Sequence, residues 1–185
     1  MSQKTLLLTN CGHSEMPLIF AARRLGWRIV TTGLTRDAVG HRLADEVVLG
    51  DFADKEFIYR LAKEKKVDAV VSGCEDDAYI SAAYASDKLG LPGHDSYETA
   101  CIIHNKLRFR EIMREVGVST PKFSVCRSFA EAKTACVEIG FPLLVKAVDL
   151  NSGRGITICQ DMDDLETAYR QAETETRQSE ILLEG

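Results

Sequence analysis

Long apolar runs are missing from this 185-residue sequence. None approaches the roughly 20 consecutive apolar residues that a membrane-crossing helix needs, so no membrane partner is expected. The opening Met-Ser-Gln-Lys leads into only Leu6, Leu7 and Leu8, too short for the apolar part of a secretory signal. The expected compartment is the cytoplasm. A basic excess is missing too: 23 Lys and Arg stand against 28 Asp and Glu, a formal charge of −5. Binding by phosphate neutralisation normally needs the opposite balance, so nucleic acid is not an expected partner. Cysteines at metal-binding spacing are also absent. Cys11, Cys74, Cys101, Cys126, Cys136 and Cys159 lie far apart with no C-x-x-C pair, several of them inside apolar stretches, and read as reduced, mostly buried thiols. A zinc site from Cys11, His13 and Cys74 would need the fold to collect them at one sheet edge, and no metal-ligating residue is assigned. There is no internal repeat and no low-complexity tract.

What is present is enough for a core: 45% of the residues are hydrophobic and 28% charged, which suits one globular domain or two small ones. The first ninety residues alternate short β-branched apolar runs with amphipathic stretches, the pattern of βαβ units around a parallel sheet. Strands are predicted over 4–9, 28–32, 46–49 and 67–72. Helices are predicted over 14–25, capped by Ser14 and closed by Gly26; from Asp54, with Phe57, Ile58, Leu61 and Ala62 inward; and over 76–89, ending at Gly90. The stretch after residue 34 reads as a loop or short turn.

After Pro92 the pattern changes to two short helices, 95–104 with an Asp95-x-x-Glu98 capping box and 105–116 closed by Gly117. Thr120-Pro121 marks a boundary. Beyond it come strand 123–126, helix 128–139 with a Ser128-x-x-Glu131 box, strand 142–148, a glycine turn, strand 156–159, helix 163–173 and strand 180–184. The expected class is α/β: a small doubly wound parallel sheet over 1–94, a helical linker over 95–120, and a small α+β module over 121–185.

The segment richest in chemistry runs from Gly140-Phe141-Pro142 through Lys146 to Ser152-Gly153-Arg154-Gly155. A lysine projecting from a strand, followed by a glycine hairpin, suits a polyphosphate: the ammonium is a point charge, and glycines let backbone N–H groups approach phosphate oxygens. A hairpin that merely needs glycine, with a solvated lysine, reads as well from composition alone. The segment matches neither the G-x-x-x-x-G-K-[ST] loop nor a strand-to-helix G-x-G-x-x-G.

Its context is more specific. Asn105-Lys106-Leu107-Arg108-Phe109-Arg110, Gly117-Val118-Ser119-Thr120-Pro121, Gly140 to Lys146, and the glycine loop follow one another in order. In that order and spacing the chain resembles the ATP-grasp superfamily, its carbamoyl-phosphate synthetase large-subunit and biotin carboxylase branches in particular. The resemblance covers essentially the whole chain. It implies a pre-ATP-grasp nucleotide-fold domain, a linker carrying Lys106, and a phosphate-binding lid. It also implies ATP as cofactor, with Lys106 and Lys146 reaching the phosphates from two sides and Ser152, Gly153, Arg154 and Gly155 closing over them. Glu184 becomes the adenine-side carboxylate; read alone, it would be an exposed terminal acid. Mg²⁺ is implied as well, with ligands expected on a C-terminal part missing from this chain. The 185 residues are therefore expected to be an incomplete, inactive fragment, and no catalytic side chain is assigned.

For the first domain, Gly12 and His13 lie in the loop after strand one, and Glu75 and Asp77 lie after strand four, the usual ligand edge of such sheets. They are the candidate contacts to an acceptor; the plainer readings are a loop donor for His13 and helix capping for the acids. The expected activity is ligation of a carboxylate to an amine or related nucleophile through an acyl phosphate, with small molecules as partners and a homodimer left open. Two alternatives stand beside it: a non-catalytic nucleotide or metabolite binder on the same fold, and an NAD(P)-binding oxidoreductase domain. The latter is opposed by a first loop with one glycine where the dinucleotide fingerprint has three.

Overall fold

Residues 3–150 and 153–185 are described by the computed structural model, which divides into two units, Met1–Cys101 and Ile102–Gly185. The division falls inside the predicted helical linker.

In the first unit, four parallel strands stand in the order β3-β2-β1-β4: β1 Thr5–Thr9, β2 Arg28–Gly33, β3 Glu46–Leu49 and β4 Ala69–Ser72. β1 is buried along its whole length, as expected of a parallel strand covered on both faces. Leu7 joins Val30, Ile58, Leu61, Val70, Ala82 and Ala85 on one face, under α2 (Lys55–Lys65) and α3 (Asp76–Leu89). Leu6 and Leu8 join Cys11, Ile19, Ala22 and Ile29 on the other, under α1 (Met16–Arg24). The alternation of neighbouring leucines to opposite faces is the period-two rule of a strand. On the α1 side a shallow apolar groove holds Trp27, with the Lys4 ammonium 5.4 Å from the ring centre.

Helix starts match the sequence reading in part. Asp54 accepts from Glu56 and Phe57 N–H groups and caps α2. Ser14 does not cap α1: the N-cap is Glu15, without a side-chain bond, and the Ser14 hydroxyl donates to Glu15 Oε1 instead. Nor does Asp95 cap α4 (Tyr97–His104), because its carboxylate takes the Tyr79 hydroxyl and the Ser96 hydroxyl accepts from Thr99 N–H. Within the predicted loop, Val39–Leu43 is a 3-10 turn that buries His41 against the Thr31 hydroxyl, 2.8 Å from Nδ1.

The second unit is an antiparallel sheet of order β5-β8-β6-β7, with β5 Phe123–Cys126, β6 Leu143–Ala147, β7 Ile156–Cys159 and β8 Ile181–Glu184. Strict alternation sorts its faces. Leu143, Val145, Ile181 and Leu183 pack into a core with Ala132, Ala135 and Cys136 of α6 (Phe129–Ile139) and Leu165, Ala168 and Tyr169 of α7 (Met162–Glu175). On the opposite face Leu182 packs with Val148 and with Leu107 of α5 (Lys106–Glu115). Ser128 caps α6 by accepting from Glu131 N–H, and Asp161 caps α7 by accepting from Asp163 and Asp164 N–H.

Candidate nucleotide site

The side chains of interest on the sheet of the second unit follow from its register. Lys146 on β6 pairs with Leu182, and Glu184 on β8 pairs with Leu144, so Lys146 and Glu184 are diagonal neighbours on the face away from α6 and α7. That face is covered by α5, whose first turn carries Lys106 and whose second carries Arg110, four residues on and therefore on the same side of the helix. Lys106 N–H donates to Val148 O at 3.2 Å, tying the start of α5 to the end of β6. A cleft of about 220 Å³ results, lined by Ile103, Lys106, Phe109, Arg110, Lys146 and Glu184.

Inside it, Lys146 Nζ donates to Glu184 Oε2 at 2.8 Å and Arg110 Nη2 to Oε1 at 2.7 Å. The Glu184 side chain is only 5% exposed, so the reading as an exposed terminal acid is overturned. Burial pushes this carboxyl up; the hydrogen bonds from Arg110 and Lys146, and then their charges, outweigh that and hold it below the usual carboxylate range. The Lys106 ammonium donates to the Leu150 carbonyl, which places it beside the turn between β6 and β7. Arg110 Nε is buried without a hydrogen-bond partner among the described residues.

The turn supplies the glycines. Gly153 has φ +77° with open space around it, so only its backbone conformation calls for glycine. Gly155 has φ +63°, and a Cβ there would also stand 2.8 Å from Ala147 Cβ and 2.9 Å from Leu150 Cδ1. Gly155 O accepts from Ala147 N at 2.8 Å, closing the hairpin base. Arg154 is exposed on the turn, and Ser152 lies outside the described residues.

In the first unit, the predicted acceptor contacts lie at the C-terminal ends of the strands. Gly12 N–H is already bonded to Glu15 Oε2 at 2.7 Å, and Glu15 is fully buried. The loop after β1 thus carries a resident carboxylate at Gly12, one of the candidate acceptor contacts. His13 is exposed, and its carbonyl accepts from Met16 N. Glu75 is the N-cap residue of α3 yet makes no side-chain capping bond, so the plain reading of that acid as a cap is not what holds it. Asp77 is exposed in the first turn of α3.

Three of the predicted site residues, Lys106, Lys146 and Glu184, therefore share one cleft. Arg110 is the member that residue reading left without a role. Its helical spacing from Lys106 was the available indication.

The comparisons with known proteins agree on the class. Residues 105–185 match the family model described as the carbamoyl-phosphate synthase L chain, ATP binding domain. The chain is 26% identical over 179 residues to the formate-dependent phosphoribosylglycinamide formyltransferase of Pyrococcus furiosus, covering 96% of this chain and 42% of that protein. It is 30% identical over 170 residues to the enzyme of the same name from Prochlorococcus marinus subsp. pastoris, covering 91% and 43%. The biotin carboxylase domain of Hydrogenobacter thermophilus 2-oxoglutarate carboxylase, solved with MgADP, ADP and bicarbonate, superposes with a TM-score of 0.83 at 27% identity over 100% of this chain and 44% of that one. The matched residues 105–185 include the antiparallel sheet of the second unit and, Ile103 aside, the residues lining the cleft. Residues 105–185 are thus similar to that ATP-binding domain, and the fold of the chain is similar to that of the biotin carboxylase domain. It spans less than half the length of the curated relatives it matches.

Proposed function

We propose that the full-length protein is an ATP-dependent ligase that joins a carboxylate to an amine or related nucleophile, and that these residues bind ATP phosphates and present the acceptor. The observation that carries this reading is the gathering of Lys106, Lys146 and Glu184 in one cleft beside the glycine turn. In such a reaction a carboxylate oxygen attacks the γ-phosphorus and ADP departs. The amine then attacks the acyl carbon of the resulting acyl phosphate, and inorganic phosphate leaves. Most of the catalysis is positioning and charge stabilisation, which ammonium groups and backbone donors provide without a side-chain nucleophile.

Lys106 and Lys146 neutralise the phosphates, and Gly153, Arg154 and Gly155, with Ser152, close over them. Glu184 stands at the adenine side. Gly12, His13, Glu75 and Asp77 present the acceptor from the ends of the first sheet. Mg²⁺ does not fit the residues gathered here, because Glu184, the carboxylate lining this cleft, is engaged by two cations. The reading is supported by the similarity to a formate-dependent formyltransferase and to a biotin carboxylase domain, the latter crystallised with MgADP.

Calorimetric titration of the full-length protein with ATP is the test. Lys146→Ala is expected to weaken binding at least tenfold, about 1.4 kcal/mol; unchanged affinity removes that lysine from the site and with it the proposed role of the cleft.

A further inference from the structure

Resting on that reading, we propose that Glu184 is a stand-in for the nucleotide phosphate and that Arg110 is the positioning residue which keeps it in place when ATP arrives. The geometry is that of a shared carboxylate: Oε2 holds Lys146 and Oε1 holds Arg110, at 2.8 and 2.7 Å. Both partners are largely withdrawn from water, with side chains 11% and 23% exposed against 5% for Glu184. A buried acid with two cations can release one of them and remain compensated; a buried acid with one cannot, because an uncompensated charge in such a place is strongly unfavourable. Lys146 is the partner to be released, since it stands on the strand that leads into the glycine turn. Arg110 is the partner to remain. Its planar fork can hold a carboxylate by more than one N–H, and its buried Nε donor has no partner among the described residues.

The sequence of events is a transfer of ion pairs. Before ATP binds, Glu184 keeps the Lys146 ammonium ordered inside the cleft. When the phosphates enter, Lys146 turns to them and Arg110 alone neutralises Glu184, so that no charge is left stranded. Lys106, whose ammonium lies against the Leu150 carbonyl, reaches the phosphates without breaking this pair. The charged groups around Glu184 are Lys146 on β6 and Lys106 and Arg110 on α5; from β5 its register partner is the uncharged Phe123.

The experiment is ATP titration of the full-length protein and four variants, Arg110→Gln, Arg110→Lys, Glu184→Gln and the double variant Arg110→Gln/Glu184→Gln, with thermal unfolding as the control for folding. Arg110→Gln is expected to lose at least tenfold in ATP affinity, because binding must then strand Glu184. Arg110→Lys recovers most of that loss. In the Glu184→Gln background, whatever that change itself costs at the adenine side, Arg110→Gln costs little further, since there is no buried acid to strand; a general packing defect at Arg110 would cost the same in both backgrounds. Sign also separates the two accounts. Removing the guanidinium raises the Glu184 pKa, so the affinity of Arg110→Gln improves as pH falls towards the ordinary carboxylate range, relative to the wild type over the same range.

Wild-type affinity in Arg110→Gln, or an equal loss from Arg110→Gln in the wild-type and Glu184→Gln backgrounds, overturns the proposal. Should Arg110→Gln fail to fold, two comparisons still decide: the double variant must bind within a few-fold of Glu184→Gln alone, and Arg110→Lys within a few-fold of wild type. The underlying functional reading fails differently, through absence of ATP binding by the wild type or indifference of ATP binding to Lys146→Ala.

Discussion

At Gly73 the first sheet leaves no room for a methyl group. A Cβ there would lie 1.9 Å from Glu15 Oε1 and 2.7 Å from its Cδ. The Glu15 side chain has little freedom to yield, being fully buried and bonded to Gly12 N–H at 2.7 Å and to the Ser14 hydroxyl at 2.9 Å. Gly73→Ala is therefore expected to lower stability by about 1–3 kcal/mol, the usual range for overpacking, measured by urea unfolding. An unchanged midpoint would show that the carboxylate can swing away. The pair also shows where residue reading reaches its limit: Ser14 looks like a cap and Glu15 like a first-turn acid, but the contact with Gly73 joins residues 58 positions apart. For the same reason Glu184 could be named from its motif and not recognised as buried, since Arg110 is 74 residues away in sequence.

The starts of α2 and α6 were legible because their capping partners are local. Asp54 and Ser128 each bond an N–H two or three residues ahead, an arrangement written in the spacing of the side chains. Asp95 failed because Tyr79 competes for its carboxylate, a contact between segments that no short window contains. The second unit was readable almost strand for strand, because alternating apolar residues on β6 and β8 and the glycine turn between β6 and β7 are local patterns. Only the helix of α7 was placed late, and the reason is Asp161, which accepts from Asp163 N–H at 3.0 Å and Asp164 N–H at 3.3 Å and starts the helix one residue earlier. Asp161→Ala is expected to destabilise the protein by about 1 kcal/mol, with α7 fraying first in amide hydrogen exchange. Equal protection of its first turn in both proteins would remove the cap from the account.

Across the whole molecule, each unit has a core of its own, Leu7 and Leu8 with their neighbours in one and Val145, Leu183 and Tyr169 in the other. The division of labour proposed above, acceptor on the first and phosphates on the second, predicts coupled chemistry. In the full-length protein, phosphate release from ATP is expected to need both a carboxylate and an amine. Continuous assay of inorganic phosphate across paired substrate pools tests it, and turnover indifferent to either co-substrate would sink the ligase reading. The lone tryptophan has a practical consequence for all such measurements. Trp27 sits in the apolar groove of the first unit under Lys4, so indole emission is an optical reporter for that half alone. A melting curve followed by that light leaves loss of the other core unseen, and tyrosine absorbance, to which Tyr169 contributes, is the natural second channel.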